Sequence, residues 1–106
     1  RVNQSPEIHP KTLARRAAIR ALIGVEKETL VSPDFAEIAA QSRPFAREIY
    51  AGTQRNRGWI DWTLAPLLSK KPLEKLDGAV RAALRLACYE RAWLHTPAHA
   101  VAGEYA

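Results

Sequence analysis

The sequence predicts an all-α fold, and three observations support that prediction. Apolar residues recur with helical spacing through most of the chain after residue 11. Nineteen of the 106 residues are alanine, whose small side chain lets helices pack at close range. Helix-start signals, in which a capping residue precedes proline, recur along the chain. We therefore expect one helical domain over residues 11–106, with five helices and the beginning of a sixth, after a flexible tail over residues 1–10.

Three helices are predicted in the first half of the chain. The first begins at Thr12 and carries an apolar stripe that runs to Val25. Ser32–Pro33 is the start signal for a second, short helix, whose buried face begins at Phe35. Ser42–Pro44 opens the third helix in the same way, and an apolar face follows it.

Breaks divide the remainder of the chain. Gly58 either ends the third helix or kinks it, because the helical period resumes at Ile60. Lys70–Pro72 interrupts the chain again, and Thr96–Pro97 is the start signal for a last helix. That helix has only begun when the sequence stops at Ala106, so we expect a bundle that is truncated at its C-terminal end.

The most apolar stretch is Gly78–Leu94, for which Asp77 is the predicted N-cap. Apolar residues lie on nearly every side of this helix, which predicts a central, buried element. Its polar exceptions Arg81, Arg85 and Tyr89 fall on one narrow strip. The strip either marks an edge that faces water or provides a track for phosphates with an aromatic ring at its end.

Several classes of function find no support in the sequence. One cysteine, Cys88, allows no intramolecular disulfide, and we expect a cytoplasmic protein without a membrane segment. His95 and His99 are four residues apart, but Pro97 between them disrupts the single helical face that a metal pair needs. The sequence contains neither a glycine-rich phosphate loop nor a serine in a nucleophile elbow. We expect no catalytic residue, no metal and no cofactor in this chain itself.

A cluster of cations in the first helix suggests a polyanionic partner. The chain has 16 basic and 11 acidic residues and a net charge of +5. The cluster carries no acidic residue before Glu26, whereas an ordinary solvated face usually alternates charges to form i,i+4 pairs. We therefore favour nucleic acid over a merely solvated surface for Lys11, Arg15, Arg16 and Arg20.

A second cluster, in "YAGTQRNRGWIDW", combines arginine with tryptophan. Arg55 and Arg57 lie near a helix end, where cations also interact favourably with the helix dipole. Trp59 and Trp62 are three residues apart on a segment with an apolar face, so we expect at least one of them to pack in the core. An exposed tryptophan beside arginine would instead offer a stacking surface to an unpaired base.

Five blocks between Arg15 and Glu104 carry a family resemblance: "ARRAAIRAL", "SRPFAREIYAGTQR", "WIDW", "PLEKLDGAVRAALRLACYE" and "PAHAVAGE". Through these blocks the sequence resembles the NusB/RsmB family of all-helical RNA-associated domains. It departs from the family pattern at three places: Ser42 replaces an aspartate, Ala51 separates the tyrosine and glycine of a pair, and Gly103 replaces an asparagine.

The resemblance implies a bundle in which the aromatic residues of Tyr50–Trp62 are core and its arginines face RNA. We expect the RNA, either ribosomal RNA or a boxA-like single strand, to contact the basic residues of the two clusters and the strip. These are Lys11, Arg15, Arg16, Arg20, Arg55, Arg57, Arg81 and Arg85.

Two branches of this family imply different roles. The role we expect is that of the N-terminal domain of RsmB-type ribosomal RNA cytosine-C5 methyltransferases, which would position substrate RNA for an attached domain that binds S-adenosylmethionine. Two features favour it: the short segment between the first helix and Ser42, and the run "RNRGWIDW…LLSKKPLEKLD". The arginine-rich first helix instead resembles NusB-type antitermination factors, which bind boxA-like RNA with a ribosomal-protein partner. A third alternative is a protein-interaction module that binds no RNA.

Overall fold

The computed structural model describes residues 8–29 and 32–105. This part of the chain is helical, and the all-α prediction is confirmed. Most of the predicted flexible tail lies outside the described residues, but Pro10, which was assigned to the tail, is the first residue of a helix. The helices are α1 (Pro10–Glu26), α2 (Arg43–Arg55), α3 (Arg57–Leu64), α4 (Gly78–Trp93) and α5 (Ala98–Tyr105), with short 3-10 turns at Ala40–Ser42, Ala65–Leu67 and Leu73–Lys75.

Local capping determines where two of these helices begin. Asp77 is the N-cap of α4, as predicted, and its carboxylate accepts a hydrogen bond from the Ala79 backbone N–H at 3.1 Å. α1 begins earlier than expected, because Pro10 occupies its first turn and His9 caps it. The His9 Nδ1 atom accepts a hydrogen bond from the Lys11 backbone N–H at 3.1 Å.

The predicted helix after Ser32–Pro33 does not form, so that prediction is wrong. Phe35 has a left-handed backbone with φ of 59°, which a right-handed helix cannot accommodate. Asp34 accepts a hydrogen bond from the Ala36 N–H at 3.0 Å, and this local turn competes with helix formation. Phe35 is nevertheless buried, as expected, and its ring packs edge-on against Tyr50 at 5.9 Å.

The break between α2 and α3 lies at Asn56 rather than at Gly58. Asn56 has φ of −110° and ψ of 19°, outside the helical range. Its backbone N–H and side-chain amide both donate to the Gly52 carbonyl, at 3.1 and 2.8 Å. Gly58 lies inside α3, so it neither ends nor kinks α2.

Alanines allow α1 to pack closely against its neighbours. Ala14, Ala17 and Ala21 are buried with Phe35 and Ala46 in one apolar cluster. A second cluster joins α1, α2, α3 and α4 around larger side chains. It contains Ala18, Leu22, Ile49, Ile60, Leu64, Leu73, Ala82, Leu86 and Tyr89.

α4 is not buried on all sides, and its polar strip does not face water. Of the strip, Arg85 and Tyr89 are buried and the Arg81 side chain is 13% exposed, whereas Val80 on another side of the helix is about half exposed. The interpretation of the strip as a solvated edge is therefore wrong. The apolar residues of α4 instead line an open groove of about 510 Å³ shared with α1 and α5, whose walls include Ile19, Val80, Leu84, Val101 and Tyr105.

α2 and α4 come into close contact at Gly52. A Cβ atom at this position would lie 2.1 Å from the ring of Tyr89, so no larger residue fits there without displacing Tyr89. Tyr89 is buried and cannot move towards solvent without opening the core. Gly52 is thus required for the packing of the two helices.

We expect Gly52→Ala to lower the free energy of unfolding by about 1–3 kcal/mol, the usual cost of overpacking a core. The matched control is Gly103→Ala in α5, where an added Cβ meets no atom within 4 Å. Because alanine favours helix more than glycine does, the control should raise stability by up to about 1 kcal/mol. Urea unfolding followed by circular dichroism measures both; equal effects of the two substitutions would contradict the packing role of Gly52.

Candidate nucleic-acid interface

The eight predicted RNA-contact residues occupy three different environments. Lys11, Arg16 and Arg20 are exposed on α1. Arg55 and Arg57 are exposed at the junction of α2 and α3. The remaining three, Arg15, Arg81 and Arg85, form ion pairs within the protein.

Arg16 and Arg20 belong to a row of cations on the outer face of α1. Lys27 is the C-cap residue directly after α1. Projected at 3.6 residues per turn, Arg16, Arg20 and Lys27 lie within about 40° of one another around the helix axis. We call these three residues the α1 basic row; all are exposed. The analysis of the sequence missed Lys27, although its spacing of seven residues from Arg20 is a helical repeat that would have identified it.

One acidic residue that pairs with this row is held only weakly. Arg20 lies 3.8 Å from Glu37, and both side chains are more than half exposed. Such a pair contributes little to stability and is easily exchanged for another anion. At the start of α1, the Lys11 ammonium lies 5.0 Å from the centre of the Phe45 ring, which orients it by a cation–π contact.

Arg15 forms the most buried ion pair of the structure's described residues. It is 7% exposed, and its partner Glu90 is 0% exposed. The Arg15 Nε and Nη2 atoms donate to the two carboxylate oxygens of Glu90 at 2.7 and 2.8 Å. This bidentate geometry connects α1 to α4 and occupies the donors that would otherwise bind a phosphate.

Other donors complete the surroundings of Glu90. The Thr96 hydroxyl donates to it at 3.0 Å and the Tyr105 hydroxyl at 2.5 Å. Burial acts to raise the pKa of Glu90, but the hydrogen bonds from Arg15, Tyr105 and Thr96 outweigh it, so the pKa lies below its usual value. Burial, together with the hydrogen bond to Glu90, raises the pKa of Tyr105, which therefore stays a hydrogen-bond donor.

A second ionic cluster holds Arg81 and Arg85 of the α4 strip. Arg81 Nε donates to Glu26 at the end of α1 at 2.9 Å, and its Nη1 donates to the Leu76 carbonyl at 2.6 Å. Arg85 donates to both oxygens of Asp61 on α3, at 2.9 and 3.1 Å. The hydrogen bond from Arg81 holds the pKa of Glu26 below its usual value.

These contacts give Arg15, Arg81 and Arg85 a structural role. RNA contact by the three arginines stays a prediction, and a phosphate would have to compete with a carboxylate for each guanidinium. The sequence could not reveal this pairing, because the acidic partners are distant along the chain. Arg15 and Glu90, for example, are 75 positions apart.

The tryptophans of the α2–α3 region do not lie in the core, so that expectation is wrong for both. Trp59 is 47% exposed and Trp62 is 75% exposed. The apolar face of α3 is formed instead by Ile60 and Leu64, which are buried. Trp59 packs edge-on against Trp93 of α4 at 5.0 Å.

Within residues 8–29 and 32–105, no three histidine, cysteine or acidic side chains gather where they could hold a metal ion. No helix in that part of the chain is long and apolar enough to cross a bilayer. Cys88 is partly buried, and burial raises the pKa of its thiol. A raised pKa disfavours the thiolate, which is the nucleophilic form of cysteine.

Comparisons with known proteins agree on one family. The family model described as NusB family matches residues 12–106. A curated relative, the transcription antitermination protein NusB of Baumannia cicadellinicola subsp. Homalodisca coagulata, is 34% identical over 94 residues, which cover 79% of this chain and 65% of the relative. The chain thus spans slightly less than two thirds of that protein's length. No solved structure gives a significant match.

We expect Glu90→Gln to lower the free energy of unfolding at pH 7 by about 3–5 kcal/mol, because it leaves the Arg15 charge buried without a counter-ion. The substitution should also weaken the pH dependence of the free energy of unfolding. The pKa of Glu90 in the folded state lies below the unfolded value of 4.5, so its ionised form stabilises the protein above that pH. This contribution disappears as the pH falls through the folded-state pKa.

Urea unfolding at several pH values between 7 and 3.5 tests this expectation. The control is Glu48→Gln, which removes an exposed carboxylate on α2 and should cost little stability. If Glu90→Gln were as stable as Glu48→Gln at pH 7, the buried ion pair would not hold α1 and α4 together.

Proposed function

Because the chain belongs to the NusB family, we propose that it binds RNA as a transcription antitermination factor of the NusB type. The curated relative bears that name, and the similarity covers most of this chain. The RNA would be a boxA-like single strand, bound jointly with a ribosomal-protein partner. The arginine-rich start of α1 is the sequence feature that supports this branch of the family.

The observation on which this proposal depends is the α1 basic row. Arg16, Arg20 and Lys27 extend along one exposed face; the half-exposed Glu37 lies 3.8 Å from Arg20, and Glu26 and Glu28 flank Lys27 in the chain. Arginine offers a planar fork that matches phosphate oxygens, and lysine adds a mobile charge. Phosphate contacts of this kind position a nucleic acid without reading its sequence.

The α1 basic row is a better candidate for RNA contact than the full set of eight residues that the sequence suggests. Each of its three side chains can bind a phosphate without breaking a buried ion pair. Lys11, near the start of the same helix, is also exposed and could extend the contact along the strand. We therefore assign the main phosphate contacts to the exposed cations of α1, about two to four in number.

A second candidate function is that of an RNA-positioning domain in a ribosomal RNA methyltransferase. The short connection between α1 and α2, residues 27–42, favours it, because that branch of the family has a short segment here. In that case S-adenosylmethionine would bind in another domain, and no residue of this chain is assigned to it. The two candidates share the α1 basic row and differ in the RNA that they prefer.

We expect the double substitution Arg16→Glu/Arg20→Glu to abolish most RNA binding while leaving the fold intact, because both side chains are exposed. For the unmodified chain, log affinity for a single strand should fall with log salt at a slope of about −1.5 to −3, as two to four phosphate contacts require. Fluorescence anisotropy with a labelled boxA-like strand measures both quantities.

The matched control is Lys70→Glu/Lys71→Glu, which makes the same change in net charge at two exposed lysines outside α1. It should weaken binding far less than the α1 substitution does. Equal losses in the two variants would show that only net charge matters, and the α1 interface would then be rejected. Absence of any binding by the unmodified chain would leave the protein-interaction alternative.

Competition between two RNAs separates the candidate functions. A boxA-like single strand should displace a small-subunit ribosomal RNA hairpin if the chain is an antitermination factor. The opposite preference would favour the methyltransferase branch.

A further inference from the structure

All three tryptophans of the chain are exposed, and they belong to α3 and α4 rather than to the α1 basic row. Trp59 and Trp62 are three positions apart on α3, and Trp93 is the last residue of α4. Each is exposed, with Trp62 showing 75% of its surface. We call these three residues the tryptophan surface. Large exposed aromatic side chains grouped in this way are typical of a binding site.

Packing from below holds part of this surface in place. The Trp93 ring stacks on Tyr89, with centroids 5.4 Å apart and planes 14° from parallel. Tyr89 is itself fixed against Gly52 in the core. Trp59 then meets Trp93 edge-on at 5.0 Å. Two of the three rings are thus ordered before any ligand arrives, which reduces the entropy that binding would cost.

The exposed cation that precedes the tryptophans in the chain is Arg55, four positions before Trp59 at the end of α2. Arg57 is two positions before Trp59 and lies on another side of α3, where it is 3.9 Å from the Asp61 carboxylate. Asp61 also accepts hydrogen bonds from Nε and Nη2 of Arg85. Arg55 is therefore a cation available to a polyanion that binds the tryptophans.

Aromatic rings beside cations match the two parts of a single-stranded nucleic acid. Bases stack on exposed aromatic faces whatever their sequence, and phosphates contact the neighbouring arginines. Gly58, between Arg57 and Trp59, leaves open space above the backbone, where an added Cβ would meet no atom within 4 Å. A strand can approach the helix closely at that point.

We propose that the tryptophan surface stacks unpaired bases of a bound single-stranded RNA, while Arg55 contacts its phosphates. This inference rests on the proposed function and adds a second contact region to it. The α1 basic row supplies charge, whereas the tryptophan surface supplies base stacking. Trp62 is the most exposed ring and offers the largest free area to a base.

Intrinsic fluorescence tests the proposal directly, because every tryptophan of the chain belongs to this surface. A 12-nucleotide oligouridylate should quench the emission of the purified 106-residue chain on binding, since stacked bases quench indole. Heparin has charge but no bases, and should bind without comparable quenching. We expect Trp62→Ala to weaken RNA binding roughly tenfold to a hundredfold, in the range found for base stacking on one ring.

Two variants control for loss of structure and of apolar area. Trp62→Phe retains an aromatic face and should keep most of the affinity. Leu67→Ala removes a side chain that is also 75% exposed, on the turn that follows α3, and should leave RNA binding unchanged. Because Trp62 is so exposed, none of these changes should alter the urea unfolding midpoint appreciably.

The outcomes separate this inference from the proposed function. Quenching by RNA, with a loss of affinity in Trp62→Ala but not in Leu67→Ala, would support base stacking. RNA binding that depends on the α1 basic row but neither quenches fluorescence nor responds to Trp62→Ala would overturn base stacking and leave the proposed function standing. Equal quenching by heparin would also overturn it. No RNA binding at all would reject both proposals.

Discussion

The buried ion pair between Arg15 and Glu90 is the constraint on which the arrangement of the helices depends. A carboxylate with no exposed surface is costly to ionise unless its oxygens are fully bonded. Arg15 on α1, Thr96 before α5 and Tyr105 at the end of α5 all donate to it. One side chain of α4 thereby fixes the positions of two other helices. Removing either member of the pair would leave an uncompensated charge inside the bundle.

This use of charge inside the fold determines which cations remain for a ligand. Arg81 and Arg85 connect α4 to Glu26 on α1 and to Asp61 on α3. Together with Arg15, they make three of the eight candidate cations that pair with acidic residues inside the fold. Because the polar strip of α4 faces the core, apolar residues on another side of α4 line the open groove. Basic residues on the outer face of α1 are left exposed.

The two proposed contact regions have complementary chemistry. The α1 basic row provides charges that neutralise phosphates, and such contacts give affinity with little sequence preference. The tryptophan surface provides flat apolar rings, which require bases that are not paired. A ligand that satisfies both is a single strand rather than a duplex. Membership of the NusB family and the geometry of these residues therefore support the same class of ligand.

The sequence by itself determined the family and most of the helices, because capping residues, prolines and apolar spacing act within a few positions; the helix predicted after Ser32–Pro33 is the exception. Asp77 caps α4, and Pro44 lies in the first turn of α2, as their local patterns indicate. The tertiary structure alone decided which cations are exposed and which side of α4 is buried. A guanidinium looks the same in the sequence whether it meets solvent or a carboxylate. Glu90, the partner of Arg15, is 75 positions away in the chain, so no local sequence pattern predicts their contact.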